Sequence, residues 1–210
     1  MERHTEQNKK LKFPSEIAWN EAVLAIKKSV DFNSFDDFSK HLIEFLPQNS
    51  IETRKRYAQV VFQRYFSDKT LKQLCVDVWK YYRDDEILQD VLRYQYLIAE
   101  PLVGEFVSRF IVNTNTEILP KETINKFGID LYGTANKKLT QRLSATLKGL
   151  GFVQSQNKKS ALSILSLKLP KTALIIIIHY LYAKTPQTVM LEDVLKDRCW
   201  QYLGIKWQDD

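Results

Sequence analysis

Between Leu131 and Leu191 the chain has no aspartate and no glutamate. The same 61 residues hold nine lysines or arginines: Lys137, Lys138, Arg142, Lys148, Lys158, Lys159, Lys168, Lys171 and Lys184. A net +6 overall and +9 here leave −3 elsewhere. The positive charge thus belongs to one segment, and a concentrated cationic segment attracts polyanions.

Other scarcities narrow the field further. With six glycines and six prolines in 210 residues, a many-turned β fold is excluded in favour of helices with short connections. The two cysteines, Cys75 and Cys199, stand far apart with no CxxC. That spacing excludes a disulfide scaffold and a thiolate zinc site, and it fits a reducing cytoplasm. The longest apolar run, Ala173–Ala183, is interrupted by His179 and is about half a membrane span. It reads as a core element, with His179 a satisfied core histidine. The first twelve residues lack the apolar stretch of a signal peptide, and no lipidation motif is present. No membrane insertion is expected.

Catalytic and cofactor signatures are lacking too. His4, His41 and His179 are isolated, and there is no HExxH, GxSxG or glycine-rich phosphate loop. Asp36-Asp37 and Asp84-Asp85-Glu86 suit helix starts. The sequence predicts no enzyme, no metal and no cofactor.

What is present is apolar periodicity. At 44% hydrophobic and 12% aromatic residues, the chain has enough to bury a sizeable core. Residues 1–12 read as a flexible tail. Apolar spacing then predicts helices over Ser15–Val30, 35–46, Ile51–Phe66, Thr70–Tyr82, Asp84–Ala99 and Leu102–Val112. Ser34 and Ser50 are expected caps. Trp79, Tyr81, Tyr82, Tyr94 and Tyr96 fall on these helices as expected core. The predicted division is a helical domain over 13–116 and a second domain over 117–210.

The second region reads as a helix from Pro120 to about Phe127, a turn at 133–136, and a helix from Lys137 to Lys148 capped by Asn136. Extended runs follow at Phe152–Gln156 and Ala161–Leu169, joined by a turn carrying Lys158 and Lys159. Pro170 then opens a helix, and a last helix covers Leu191–Tyr202. Helix, turn, helix and a hairpin with a basic tip is the order of a winged helix-turn-helix. There the second helix enters the major groove and the wing touches the backbone. Leu139, Leu143, Leu147 and Leu150 lie within roughly 80° of one another at 100° per residue, which leaves Lys137, Lys138, Gln141, Ser144, Ala145 and Lys148 opposite, with Arg142 at the edge. Lysines suit phosphates, and glutamine and arginine read base edges. The expected nucleic-acid-binding residues are therefore Lys137, Lys138, Gln141, Arg142, Ser144, Lys148, Lys158 and Lys159. Arg54, Lys55, Arg56 and Arg64 form a second basic cluster, either an auxiliary phosphate contact or a salt-bridged helix face.

Three stretches carry a family resemblance: Thr53-Arg54-Lys55-Arg56-Tyr57 with Arg64-Tyr65-Phe66, Pro101 to Val107, and Thr140-Gln141-Arg142-Leu143 with Leu147 to Val153. Over about 15–205 the chain resembles the BrxA-like proteins of BREX (bacteriophage exclusion) defence systems, through diffuse apolar and basic patterning. The resemblance implies a small, non-enzymatic DNA-binding protein of a phage-resistance operon. It also implies a helical part like that of NusB-type antitermination factors, a winged-helix-like part, and other BREX subunits as partners. Older descriptions of the family as inner-membrane proteins find no support in this sequence. The expectation is a mainly α protein, an N-terminal NusB-like helical bundle plus a C-terminal winged helix, binding double-stranded DNA. The alternatives are an interaction subunit docking an acidic partner and a NusB-like RNA-binding factor.

Overall fold

The computed structural model describes residues 16–112, 114, 116–156, 161–165, 171–182 and 190. The described residues form nine α-helices and one small antiparallel sheet. The helices are α1 (Trp19–Ser29), α2 (Phe35–Phe45), α3 (Ile51–Tyr65), α4 (Leu74–Tyr82), α5 (Asp85–Ala99), α6 (Pro101–Val107), α7 (Lys121–Tyr132), α8 (Lys137–Gly149) and α9 (Lys171–Tyr182). The strands are β1 (Ile118–Pro120), β2 (Val153–Ser155) and β3 (Ala161–Ile164), with β3 in the middle and antiparallel to both neighbours.

The caps follow from side-chain chemistry. Ser34 Oγ accepts from the Asp37 amide and Ser50 Oγ from the Thr53 amide. Asp84 Oδ1 accepts from the amides of Glu86 and Ile87. Each satisfies a donor that a helix start leaves without a partner. The acidic groups at 36–37 and 84–86 thus sit in first turns, where the dipole favours them.

Four element boundaries differ from expectation. Helix α7 runs on to Tyr132, five residues past the expected Phe127, and stops where Gly133 turns left-handed. The first helix starts at Trp19, not Ser15, because Arg64 Nη1 takes the Ile17 carbonyl at 2.7 Å and Ala18 turns left-handed at φ 46°. The fourth starts at Leu74, not Thr70. Asp68 and Thr70 side chains accept from the backbone amides of Thr70 and Lys72, offering that stretch a local alternative to helix. The sixth gives way at Ser108 to a π-helical stretch, Ser108–Val112. Strand β1 is an element that alternation did not reveal: it is three residues long and exists by pairing with β3.

One apolar core runs from Ala18 to Ile177, so the regions expected at 13–116 and 117–210 share it. Phe35, Phe38, Phe62 and Phe66 interlock at α2 and α3, with ring centroids 5.1–6.3 Å apart. Phe106 and Phe110 carry the core across to Phe127 of α7 at 5.2 and 5.8 Å. Arg93 of α5 donates from Nε to the Leu150 carbonyl at 2.7 Å.

Some expected core residues are exposed. Tyr81 and Tyr82, in the last turn of α4, are 75% and 50% exposed, while Tyr94 and Tyr96 are buried and Trp79 is half-buried. Helix α9 buries Ala173 and Ile177, four residues apart on one face. His179 falls two positions beyond Ile177 and points outward, so it is exposed, not a core histidine. The turn at 157–160, the end of the run to Leu169 and the helix expected at Leu191–Tyr202 lie outside the described residues. No described helix is long and apolar enough to cross a membrane.

Arg64 is buried, with its side chain 4% exposed. It lies over the Tyr96 ring at 4.5 Å, and Nε and Nη2 donate to Glu100 Oε1 at 2.9 and 2.7 Å. Burial pushes the Tyr65 and Tyr96 hydroxyls above their ordinary range, so both stay neutral around the guanidinium. Arg64→Met should cost about 3–5 kcal/mol, because it takes the guanidinium away from a largely buried carboxylate. Arg64→Met with Glu100→Leu should recover most of that loss. Denaturant midpoints of the two variants against the parent check both outcomes.

Candidate nucleic-acid interface

Helix α8 is set in place by its neighbours before any charge is considered. Asn136 Oδ1 accepts from the amides of Lys138 and Leu139 at 3.0 and 3.2 Å, closing the first turn. Gly133, left-handed at φ 77°, ends α7 and lets the chain reverse. The two helices then approach closely at Gly128. A Cβ built there would stand 2.9 Å from Leu139 Cδ2, so any side chain would force Leu139 to shift. Thr140 Oγ1 donates to Asn125 Oδ1 across the same seam. At the far end Gly151, at φ 75°, turns the chain into β2, and the Phe152 amide donates to the Leu147 carbonyl.

Leu139, Leu143, Leu147 and Leu150 are all buried, as expected. Lys137, Lys138, Gln141, Arg142, Ala145 and Lys148 are exposed on the other side. They cover an arc of about 140° at 100° per residue. No carboxylate occurs on α8 itself.

Ser144 is a correction. It is buried at 9% exposure and is not part of the outer face. At 100° per residue it lies about 60° from Leu147, close enough to turn in with the leucine stripe. Lys158 and Lys159 lie outside the described residues. Lys171, in the first turn of α9, is exposed.

The second basic cluster separates. Arg64 is a buried structural residue, not a surface cation, because α3 turns it toward Glu100 and Ile17. Arg54 donates from Nη1 to the Glu44 carbonyl at 2.7 Å and so fastens α3 to α2. Lys55 and Arg56 are exposed. Arg56 stands 3.4 Å from Glu16 and over the ring of Tyr57.

Sequence reasoning missed a cleft of about 400 Å³ beside α8. One wall is Arg142, Ala145, Thr146 and Gly149; the other is the Glu16–Glu21 stretch and Tyr57. Gly149 is where the walls meet, since a Cβ built there would lie 2.2 Å from Ile17 Cδ1. Glu21 Oε1 accepts from Gln48 Nε2 at 2.6 Å. Burial raises the Tyr57 hydroxyl above its usual range, and Glu16 and Glu21 raise it further against the Arg56 guanidinium. Two carboxylates therefore flank the Arg142 side of α8, brought there by tertiary packing from more than 120 residues away in the chain.

Among the described residues no cluster of histidine, cysteine or carboxylate is placed to hold a metal. Comparison with protein-family models, with curated proteins and with solved structures finds no match to the chain.

Asn136→Ala should lower stability by about 1 kcal/mol, with Asn136→Gly costing only a few tenths. Thermal unfolding of both variants checks the difference, and equal losses would mean that the cap hydrogen bonds do not set the start of α8.

Proposed function

We propose that the protein binds double-stranded DNA, mainly through phosphates, as a non-enzymatic accessory of a BREX phage-defence system. The observation that carries this reading is the division of α8: buried leucines on one side, and Lys137, Lys138, Gln141, Arg142 and Lys148 together on an exposed side to which the helix contributes no carboxylate of its own. A cationic helical face raises the local concentration of a polyanion, and the small Ala145 keeps its centre low enough to approach a groove. Helices α7 and α8 and the β2–β3 ribbon follow one another in the order of a winged helix-turn-helix, which supports α8 as the groove-entering helix and the β2–β3 ribbon as the wing. Helices α1–α6 would then be the NusB-like bundle. The BREX assignment rests on the sequence resemblance. Adjacent genes for an ATPase, a methyltransferase and an alkaline-phosphatase-like protein would support it.

In this reading Lys137, Lys138 and Lys148 hold the backbone, Gln141 and Arg142 enter the groove, and Lys158 and Lys159 make the wing contact. With about six phosphate contacts, the log–log dependence of affinity on salt should have a slope on the order of −5. Lys137→Glu with Lys138→Glu should weaken binding to all duplex sequences alike and shrink that slope by about 2. Fluorescence anisotropy with labelled duplexes over a salt series reads both. A slope near zero, or unchanged binding by the double variant, rejects the interface. Stronger competition by RNA than by duplex DNA would transfer the reading to RNA.

A further inference from the structure

We propose that the Glu16–Glu21 stretch is a strap that competes with nucleic acid for the Arg142 flank of α8, and that duplex binding lifts it. This inference rests on the DNA-binding reading above and concerns the regulation of the same face.

The strap lies where a duplex would need to pass. It shares a cleft with Arg142, Ala145 and Gly149, and Ile17 abuts Gly149 with no room for even a methyl group. A groove-bound α8 brings a phosphate strand along each flank. On this flank the strand would meet Glu16 and Glu21, and like charges repel.

The strap also holds what a phosphate would take. Glu16 Oε1 stands 3.4 Å from the Arg56 guanidinium, and a phosphate is an equal or better partner for that planar fork. Lifting Glu16 away therefore releases Arg56 to the incoming strand. The exposed remnant of the second basic cluster, Lys55 and Arg56, would join the interface only in the lifted state.

Opposed terms act on the strap, which is held by the burial of Ala18 and by Ile17 and Trp19 packed against the core. The Ile17 carbonyl is fixed by Arg64 Nη1 at 2.7 Å. Against that, Ala18 sits left-handed at φ 46°, which is strained for a residue with a Cβ. Among the described residues Glu16 Oε2 is buried with no hydrogen-bond partner, a cost that departure from the cleft would return. Segments with opposed terms of this kind open locally without global unfolding.

Hydrogen exchange of the wild-type protein, alone and with saturating duplex, tests the strap directly. Amides of 137–149 should slow, and those of 22–25, which donate to the carbonyls of 18–21, should exchange about fivefold faster or more. Slowing in 137–149 with 22–25 unchanged or slower overturns the strap and leaves the DNA reading intact. No change in either segment, with no gel shift at low salt, overturns the DNA reading and the strap with it. As a second arm, Ile17→Ala removes the contact at Gly149 and no charge. It should tighten duplex binding by about threefold, by raising the open fraction, with an unchanged salt slope. Equal or weaker binding by Ile17→Ala counts against the strap.

Discussion

A guanidinium buried at the centre of the helical half organises the molecule. Arg64 cannot lose its charge, so burial obliges the fold to surround it with acceptors and a ring face. Glu100 supplies the carboxylate, Ile17 a carbonyl and Tyr96 the ring. Those partners come from the entry to α1, from α5 and from the joint between α5 and α6. One side chain of α3 thus fixes three other parts of the chain. It decides where α1 begins, and through Ile17 it decides what lies against α8.

The chemistry of the candidate interface depends on that arrangement at one remove. Helix α8 is held at its base by the Gly128 approach and the Asn125–Thr140 hydrogen bond, and at its end by Arg93 and the Leu150 carbonyl. With its leucines committed to the common core, the lysines have nowhere to go but outward. The cationic face is therefore a product of packing as much as of composition. Where α1 approaches that acid-free stretch, Glu16 and Glu21 line the cleft beside α8. That approach runs along one flank, which leaves Lys137, Lys138, Gln141 and Lys148 without it.

Much of the helical architecture was legible in the sequence because its causes are local. Ser34, Ser50, Asp84 and Asn136 cap the helices that their spacing implied, and the leucine stripe of α8 follows from its period alone. The misses have non-local or competing causes. Arg64 looked like a member of a basic surface cluster, because nothing in α3 announces Glu100, 36 residues on. Ser144 sat near enough to the leucine stripe to be buried, and a binary wheel assigned it outward. Tyr81, Tyr82 and His179 lie in apolar or aromatic surroundings in the sequence, yet each is exposed on its helix. Glu16 and Glu21 could not be connected with α8 by any periodicity. Gly149 was the one available signal, since a glycine within a helix often marks a close approach, and it read equally well as a stop.

The sheet carries a consequence for the order of assembly. β1 and β2 never touch; each hydrogen-bonds only to β3. Ile118 pairs with Ser163, 45 residues later in the chain. The contacts among α1–α6 can therefore form before β3 has emerged, whereas β1 can join the sheet only after it. Closing the sheet is a late event in the chain's assembly, because the pairing spans so long a separation.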